Sequence, residues 1–160
     1  MSNRMKIALV AVAAAAAVIV TAVGLAVAKD DPPTQGEYQT AVVSARNRTD
    51  AALEWVTKSQ SAEELIARLE DASIVVDRAA DDLDEADTLD RFEETNEQLI
   101  KALRELSTDL EGTAAQMQQP GFTDLLQTTR GLSFDSWTRI NARFAELQQD
   151  GIAVKPLERH

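Results

Sequence analysis

The chain has 160 residues, no cysteine, a single histidine at its last position (His160), and a formal net charge of −11 at neutral pH. The lack of cysteine excludes disulfides, thiolate metal sites and a cysteine nucleophile, and the lack of an internal histidine argues against a catalytic triad or a Glu-x-x-His metal site. Every Asp and Glu follows residue 28, so the rest of the chain carries 27 acidic against 14 basic side chains, a surface that repels nucleic acid.

Residues 7–28 form a run of 22 uncharged residues, ten of them alanine. As a helix this segment would be about 33 Å long, slightly more than a hydrocarbon core of about 30 Å. The length favours a transmembrane helix over a signal peptide, whose apolar region usually has about 7–15 residues. Cleavage near Ala28 to give a secreted form is the alternative, because Ala26-Val27-Ala28 has the small residues of a cleavage site. A buried helix of a soluble protein is a third alternative.

Charges on the two sides of this segment predict its orientation. Arg4 and Lys6 precede it, and acidic residues follow from Asp30 onward. The positive-inside rule then makes residues 1–6 a cytoplasmic tail and places the C-terminal domain outside the cytoplasm. Residues 29–33 contain paired prolines and are predicted to be a short linker. The predicted location is therefore the cell membrane, with a single pass.

Residues 34–151 are predicted to form an all-α, antiparallel extracytoplasmic bundle of three long helices, one short helix and one final helix. Thr34-x-x-Glu37 and Ser61-x-x-Glu64 have the capping-box pattern of helix starts, and a turn is expected around residues 87–90. Three segments repeat at alternating spacings of four and three residues, which is typical of helix faces packed together. The repeat positions are Tyr38, Val42, Ala45, Thr49, Ala52 and Val56; Leu65, Leu69, Ala72, Val76, Ala79, Leu83 and Ala86; and Phe92, Asn96, Leu99, Leu103, Leu106, Leu110, Thr113 and Met117.

The last forty residues differ in pattern from the three long helices. A short helix is expected over residues 122–130, followed by a final helix that is capped by Ser133 and ends at Asp150-Gly151. Residues 152–160 contain a proline and are too few for another helix, so they are predicted to be an extended tail. The tail is expected to contact the bundle through Ile152, Val154 and Leu157. No strand is predicted.

Two groups of residues are candidates for a site. The acidic stretch 81–94 has clustered carboxylates of the kind that Ca²⁺ prefers, but it lacks the glycine of an EF-hand loop and is predicted to be a solvated helix end. Aromatic residues in the final third form a candidate ligand or partner surface, although their helical spacing also fits core packing. They are Phe122, Phe134, Trp137 and Phe144. No catalytic residue, cofactor site or metal site is assigned. Asn96, at a core position, is predicted to fix helix register.

These patterns favour a membrane-anchored, non-catalytic protein-interaction or scaffolding component of the cell envelope, with a protein partner or self-association and no nucleic acid. The alternative is a sensor-like domain that binds a small molecule or lipid through the aromatic residues. In layout the chain is similar to the sensing domains of bacterial chemoreceptors, with no matching motif. An enzyme is the third and least favoured alternative, because the sequence singles out no pair of carboxylates for acid–base chemistry.

Overall fold

The computed structural model describes residues 33–121 and 134–158, and in this part of the chain it has four α-helices and no strand. The prediction of an all-α helical bundle is confirmed. The helices are α1 (Gln35–Thr57), α2 (Ala62–Asp84), α3 (Glu93–Met117) and α4 (Asp135–Gln149), and a 3-10 turn at Asp90–Phe92 leads into α3.

Four predicted segments lie wholly or almost wholly outside the described residues. They are the cytoplasmic tail 1–6, the transmembrane helix 7–28, the linker 29–33 and the short helix 122–130. None of the four helices that the structure describes has the length and apolar character needed to span a bilayer.

The first two long helices begin at the predicted caps. The Thr34 hydroxyl accepts a hydrogen bond from the Glu37 backbone N–H (3.3 Å), and the Glu37 carboxylate accepts from the Thr34 N–H (3.0 Å), which completes a capping box. The Thr34 N–H and the Thr34 hydroxyl (2.8 Å) both donate to the Glu37 carboxylate, and these two bonds lower the pKa of Glu37. Ser61 caps α2 in the same way, but the Glu64 carboxylate accepts from the N–H of Gln60, one residue earlier than in a capping box.

Neighbouring helices are antiparallel. Residues late in one helix contact residues early in the next helix, and residues early in the first contact residues late in the next. The pairs are Arg68 with Trp55 between α1 and α2; Gln118 with Glu70 and Arg104 with Asp84 between α2 and α3; and Ser136 with Asp109 and Arg143 with Gln98 between α3 and α4.

Most of the repeat positions are buried, as predicted. Leu65, Thr113 and Ala86 are partly exposed, and Ala86 lies beyond α2, which ends at Asp84. Acidic residues crowd this end of the helix, where the backbone dipole is negative and disfavours them. The repeat predicted for α2 therefore extends two residues, about half a turn, past the observed end of the helix.

A polar cluster lies within the core at the start of α1 and α3. The Tyr38 hydroxyl donates to Asn96 Oδ1 (3.1 Å), and Asn96 Nδ2 donates to the Thr88 hydroxyl (3.2 Å). The Tyr38 ring stacks on Phe92 with 5.2 Å between ring centroids. Asn96 is buried, as predicted, and its bonds join α1 and α3 to the loop after α2, so they favour one register of these elements.

The C-terminal tail is extended and lies along α1, running in the same direction. Gln35 of α1 contacts Gly151, and Asp50 of α1 contacts Glu158. Fifteen helical residues rise about 22 Å and seven extended residues span about 23 Å, so the two segments match in length. Asn141 of α4 contacts the tail from its other side. The tail therefore fills the groove between α1 and α4.

Candidate functional site

The aromatic residues predicted as a ligand or partner surface have different environments. Phe144 is only 1 % exposed and belongs to the core. Phe134 and Trp137 are partly buried against the core, and Phe122 lies outside the described residues. Phe134 is the N-cap of α4 and makes no side-chain capping bond, while Ser133, the predicted cap, is not described. Because Phe144 is in the core, its ring cannot line an accessible pocket.

Carboxylates of the acidic stretch 81–94 form ion pairs with arginines. Arg104 Nη2 lies 2.9 Å from Asp84 and 3.2 Å from Asp81, and these carboxylates raise the pKa of its guanidinium. Arg48 pairs with Asp82. Across residues 33–121 and 134–158, no three His, Cys, Asp or Glu side chains come together in a way that could hold a metal ion.

An open groove of about 540 Å³ follows the outer face of α3 between α2 and α4. Its lining is mostly charged, with Ile100 as an apolar exception, and it includes none of the predicted aromatic residues. The two arginines in it are paired, Arg104 with α2 carboxylates and Arg139 with Glu105 at 2.8 Å. Because both guanidinium groups are already paired with carboxylates of the protein, they offer little uncompensated positive charge to an external ligand.

The groove between α1 and α4, called the tail groove below, binds the polypeptide backbone of residues 153–158. Gln39 Oε1 accepts from the N–H of Ala153 (3.0 Å), and Asp50 Oδ1 accepts from the N–H of Glu158 (2.8 Å). Arg46 donates from Nη2 (2.7 Å) and Nε (3.2 Å) to the carbonyl of Pro156. These side chains therefore hydrogen-bond to backbone N–H and carbonyl groups, which every extended segment has.

Asn141 makes the same kind of contact from α4. Its Oδ1 accepts from the N–H of Leu157 (2.7 Å), and its Nδ2 donates to the carbonyl of Leu157 (3.5 Å). A single amide side chain thus holds both polar groups of one tail residue. The shorter of the two bonds carries more of the interaction, since N–H···O bonds weaken beyond about 3.2 Å.

Apolar side chains of the tail make the contacts that depend on the tail's own sequence, unlike the backbone hydrogen bonds. Ile152, Val154 and Leu157 are 1 %, 2 % and 3 % exposed, whereas Ala153, Lys155, Pro156 and Glu158 are exposed. The tail groove therefore buries the first, third and sixth positions of the segment that begins at Ile152. Burial of three such side chains is the main favourable term for tail binding.

The sequence carries a signal for this groove that apolar patterns do not reveal. Gln39, Arg46 and Asp50 are seven and four residues apart, so they share one face of a helix. An ion pair between Arg46 and Asp50 (3.4 Å) orients both side chains, which are 12 % and 15 % exposed. A polar stripe beside a core face is also what a solvated helix carries, so spacing within α1 neither shows that a segment packs there nor identifies a partner more than 100 residues away.

No protein-family model, curated protein or solved structure matches the chain. Among the surfaces of residues 33–121 and 134–158, the tail groove makes the most specific set of contacts with a peptide backbone.

Proposed function

We propose that the protein is a non-catalytic, membrane-anchored component of the cell envelope that binds other protein chains through its helical bundle. The main support is the tail groove, in which Gln39, Arg46, Asp50 and Asn141 hydrogen-bond to the backbone of the chain's own extended residues 153–158. Main-chain hydrogen bonds combined with pockets for particular side chains are a recurrent mode of peptide recognition. The same side chains would bind an extended segment of another protein chain when that segment displaces the tail.

The groups with shifted pKa values support a non-catalytic role. Perturbed pKa values often mark catalytic groups, but here each has a structural cause. Hydrogen bonds from Thr34 lower the pKa of Glu37, burial raises the pKa of Tyr38, and Asp84 and Asp81 raise the pKa of Arg104. These residues belong to a helix cap, the core and a surface ion pair.

Membrane attachment is proposed from the sequence of residues 7–28. Their length favours an anchor over a cleaved signal, and the basic residues before them favour an extracytoplasmic bundle. N-terminal sequencing of the protein recovered from washed membranes tests this part. The intact N terminus in the membrane fraction is expected, and a released protein that begins near Lys29 would contradict the anchor.

Photocrosslinking in intact membranes tests the interaction. A photoreactive phenylalanine analogue at Asn47, an exposed position of α1 next to Arg46, is expected to form covalent adducts with another protein chain. The matched control has the analogue at Asp71, an exposed position of α2. Equal adducts from both positions, or none from Asn47, would overturn the proposal.

A further inference from the structure

We propose that the outer side of the helix pair α2 and α3 binds a positively charged segment of another protein, which packs one aliphatic side chain against Ile74. This inference goes beyond the proposed function, because it concerns a surface other than the tail groove and names the chemistry of the partner. Three observations support it, namely the exposure of Ile74, the groove beside it, and the charges on the rim of that groove.

Ile74 is a large apolar side chain at the surface of α2. It is 50 % exposed, and among residues 33–121 and 134–158 the other large hydrophobic side chain with such exposure is Trp55. The guanidinium of Arg68 covers one face of the Trp55 ring, at 3.9 Å from the ring centroid. A single exposed apolar side chain is ordinary in itself, so the case for Ile74 depends on its surroundings.

A groove of about 280 Å³ lies beside Ile74 between the two helices and is called the α2–α3 groove below. Ile74 and Ala115 are the apolar residues of its lining. The polar groups of Ser73 in the lining are bonded within the protein, since its hydroxyl donates to the Glu70 carbonyl (2.8 Å) and its carbonyl accepts from the Ser107 hydroxyl (2.9 Å). The volume is below the range of about 300–1,000 Å³ for small-molecule sites, so the groove fits a side chain of a partner.

Two contacts between the helices bound the open length of this side. At one end, Gln118 Nε2 donates to the Glu70 carboxylate (3.1 Å). At the other end, Arg104 bridges from α3 to Asp81 and Asp84 of α2. Glu70 and Asp81 are eleven residues apart, a rise of about 16 Å along the helix. A short partner segment is therefore long enough to cover the open part.

Carboxylates lie on both rims of the α2–α3 groove, and its lining contains no Lys or Arg. Glu70 belongs to α2 and Glu111 to α3. Within the part of the chain that the structure describes, neither forms an ion pair, in contrast to the carboxylates bound by Arg104. Asp77 follows Ile74 by three residues on the same side of α2 and is also exposed. The rim therefore has negative charge that is available to a partner.

This charge selects the occupant of the groove. Cationic side chains on either side of an aliphatic one would meet Glu70 and Glu111 while the aliphatic one contacts Ile74, which makes the two surfaces complementary. Nucleic acid and anionic lipid are repelled by the acidic surface. A second copy is also disfavoured, because beyond residue 28 it has 27 acidic against 14 basic side chains. A basic segment of a different protein fits the observations best.

Photocrosslinking of a defined peptide to the full chain, held in nanodiscs of neutral lipid, tests the proposal. The probe is a short peptide of lysine and alanine with one central photo-leucine, an aliphatic residue that forms covalent bonds on irradiation. Mass spectrometry of the digested adducts is expected to place them on residues 70–77 and 111–118. A peptide with glutamate in place of lysine should give about tenfold fewer adducts or less. Equal labelling by the two peptides would overturn the proposal.

Variants of the rim and of the apolar contact sharpen the test. Ile74→Ala should reduce the adducts by about threefold to tenfold, because part of the apolar contact is lost. Replacing Glu70 and Glu111 together by Gln should reduce them by about tenfold. The matched control replaces Glu85 and Glu93 by Gln, which changes the net charge equally at exposed positions outside the groove lining. Adducts that are insensitive to either change, or that fall equally in the control, would contradict the proposal.

A cysteine experiment identifies a second copy as the occupant. The natural chain has no cysteine, so Ala115→Cys places one thiol in the groove. If such chains are joined to each other in membranes by a short bis-maleimide while the basic peptide forms no adducts, the basic partner is wrong.

The tail groove is tested separately by the photoreactive group at Asn47. Asp71 is a control for that experiment because it lies three residues after Arg68, on the side of α2 that contacts α1 and away from the α2–α3 groove. Failure of the peptide to bind therefore leaves the proposed function intact, and failure of the Asn47 probe to capture a protein leaves the α2–α3 groove intact.

Discussion

Thr49 and Asn96 are polar residues at core positions of the helical repeats, but their surroundings differ. Asn96 is hydrogen-bonded to Tyr38 and Thr88. Thr49 is 0 % exposed, and its hydroxyl has no hydrogen-bond partner among the described residues. A buried polar group without a partner loses its hydration and gains nothing in return. Sequence spacing places both residues in the core, but it does not distinguish the satisfied group from the unsatisfied one.

Replacing Thr49 by Val should raise the free energy of unfolding by about 1 kcal/mol, because a methyl group takes the place of the unpaired hydroxyl. Urea denaturation of the two chains measures the difference. Thr113→Val is the matched control, since the Thr113 hydroxyl is bonded to the carbonyl of Asp109 (2.7 Å) and its loss should bring no gain. Destabilisation by Thr49→Val would show that the hydroxyl has a partner.

Replacing Tyr38 by Phe should lower the free energy of unfolding by about 1–3 kcal/mol, because Asn96 Oδ1 loses its donor inside the core. Burial also raises the pKa of Tyr38 above its ordinary value of 10.0. Above pH 10 the unfolded chain releases this proton while the folded chain keeps it, so stability should fall as the pH rises. Denaturation on both sides of pH 10 should show a smaller fall in the Phe variant. An equal fall in both proteins would contradict this origin.

The ends of α2 and α4 illustrate two ways in which helices stop. The end of α2 is crowded with acidic side chains and has no glycine. The end of α4 is closed by Gly151, whose N–H donates to the Gln148 carbonyl (3.2 Å) and whose φ is +89°. This turn directs Ile152 back onto the core and starts the tail along α1. The sequence predicts the end of α4 at Asp150-Gly151, but it does not predict that α2 ends as early as Asp84.

Gly151→Ala should lower the free energy of unfolding by about 1–2 kcal/mol, because a side chain disfavours the left-handed backbone conformation. Gly112→Ala is the control, since Gly112 lies inside α3 and, apart from the adjoining helix backbone, no atom lies within 4 Å of the position that an added Cβ would take. That substitution should be stabilising by about 0.5–1 kcal/mol. Thermal or urea unfolding measures both changes, and similar effects from the two would contradict the role of the turn.

Leu103 tests the packing of α3, which contacts both α2 and α4. Leu103 is fully buried, and its replacement by Ala should cost about 2–5 kcal/mol. Ile74 of α2 is half-exposed, so Ile74→Ala should change stability by no more than about 0.5 kcal/mol. A loss under about 1 kcal/mol for Leu103→Ala, measured by denaturant unfolding, would mean that this part of the core is wrongly placed.

For the molecule as a whole, sequence periodicity predicts the helices and most of the core, because packing between helices repeats every three to four residues. It also places Phe144 on a face shared with Ile140 and Leu147, which explains why this aromatic residue is in the core. The tail groove could not be predicted in the same way. Its hydrogen bonds join residues 16 to 114 positions apart and end on backbone groups that are common to all residues.

Amide hydrogen exchange of the tail tests most directly whether the tail is a bound but separable segment. The amides of Ala153, Leu157 and Glu158 are hydrogen-bonded to Gln39, Asn141 and Asp50, respectively. They should exchange more slowly than in an unstructured peptide, yet faster than the amide of Leu103, because local opening frees the tail without unfolding the helices. Exchange at the unstructured rate, or at the rate of Leu103, would contradict a separable tail in the groove.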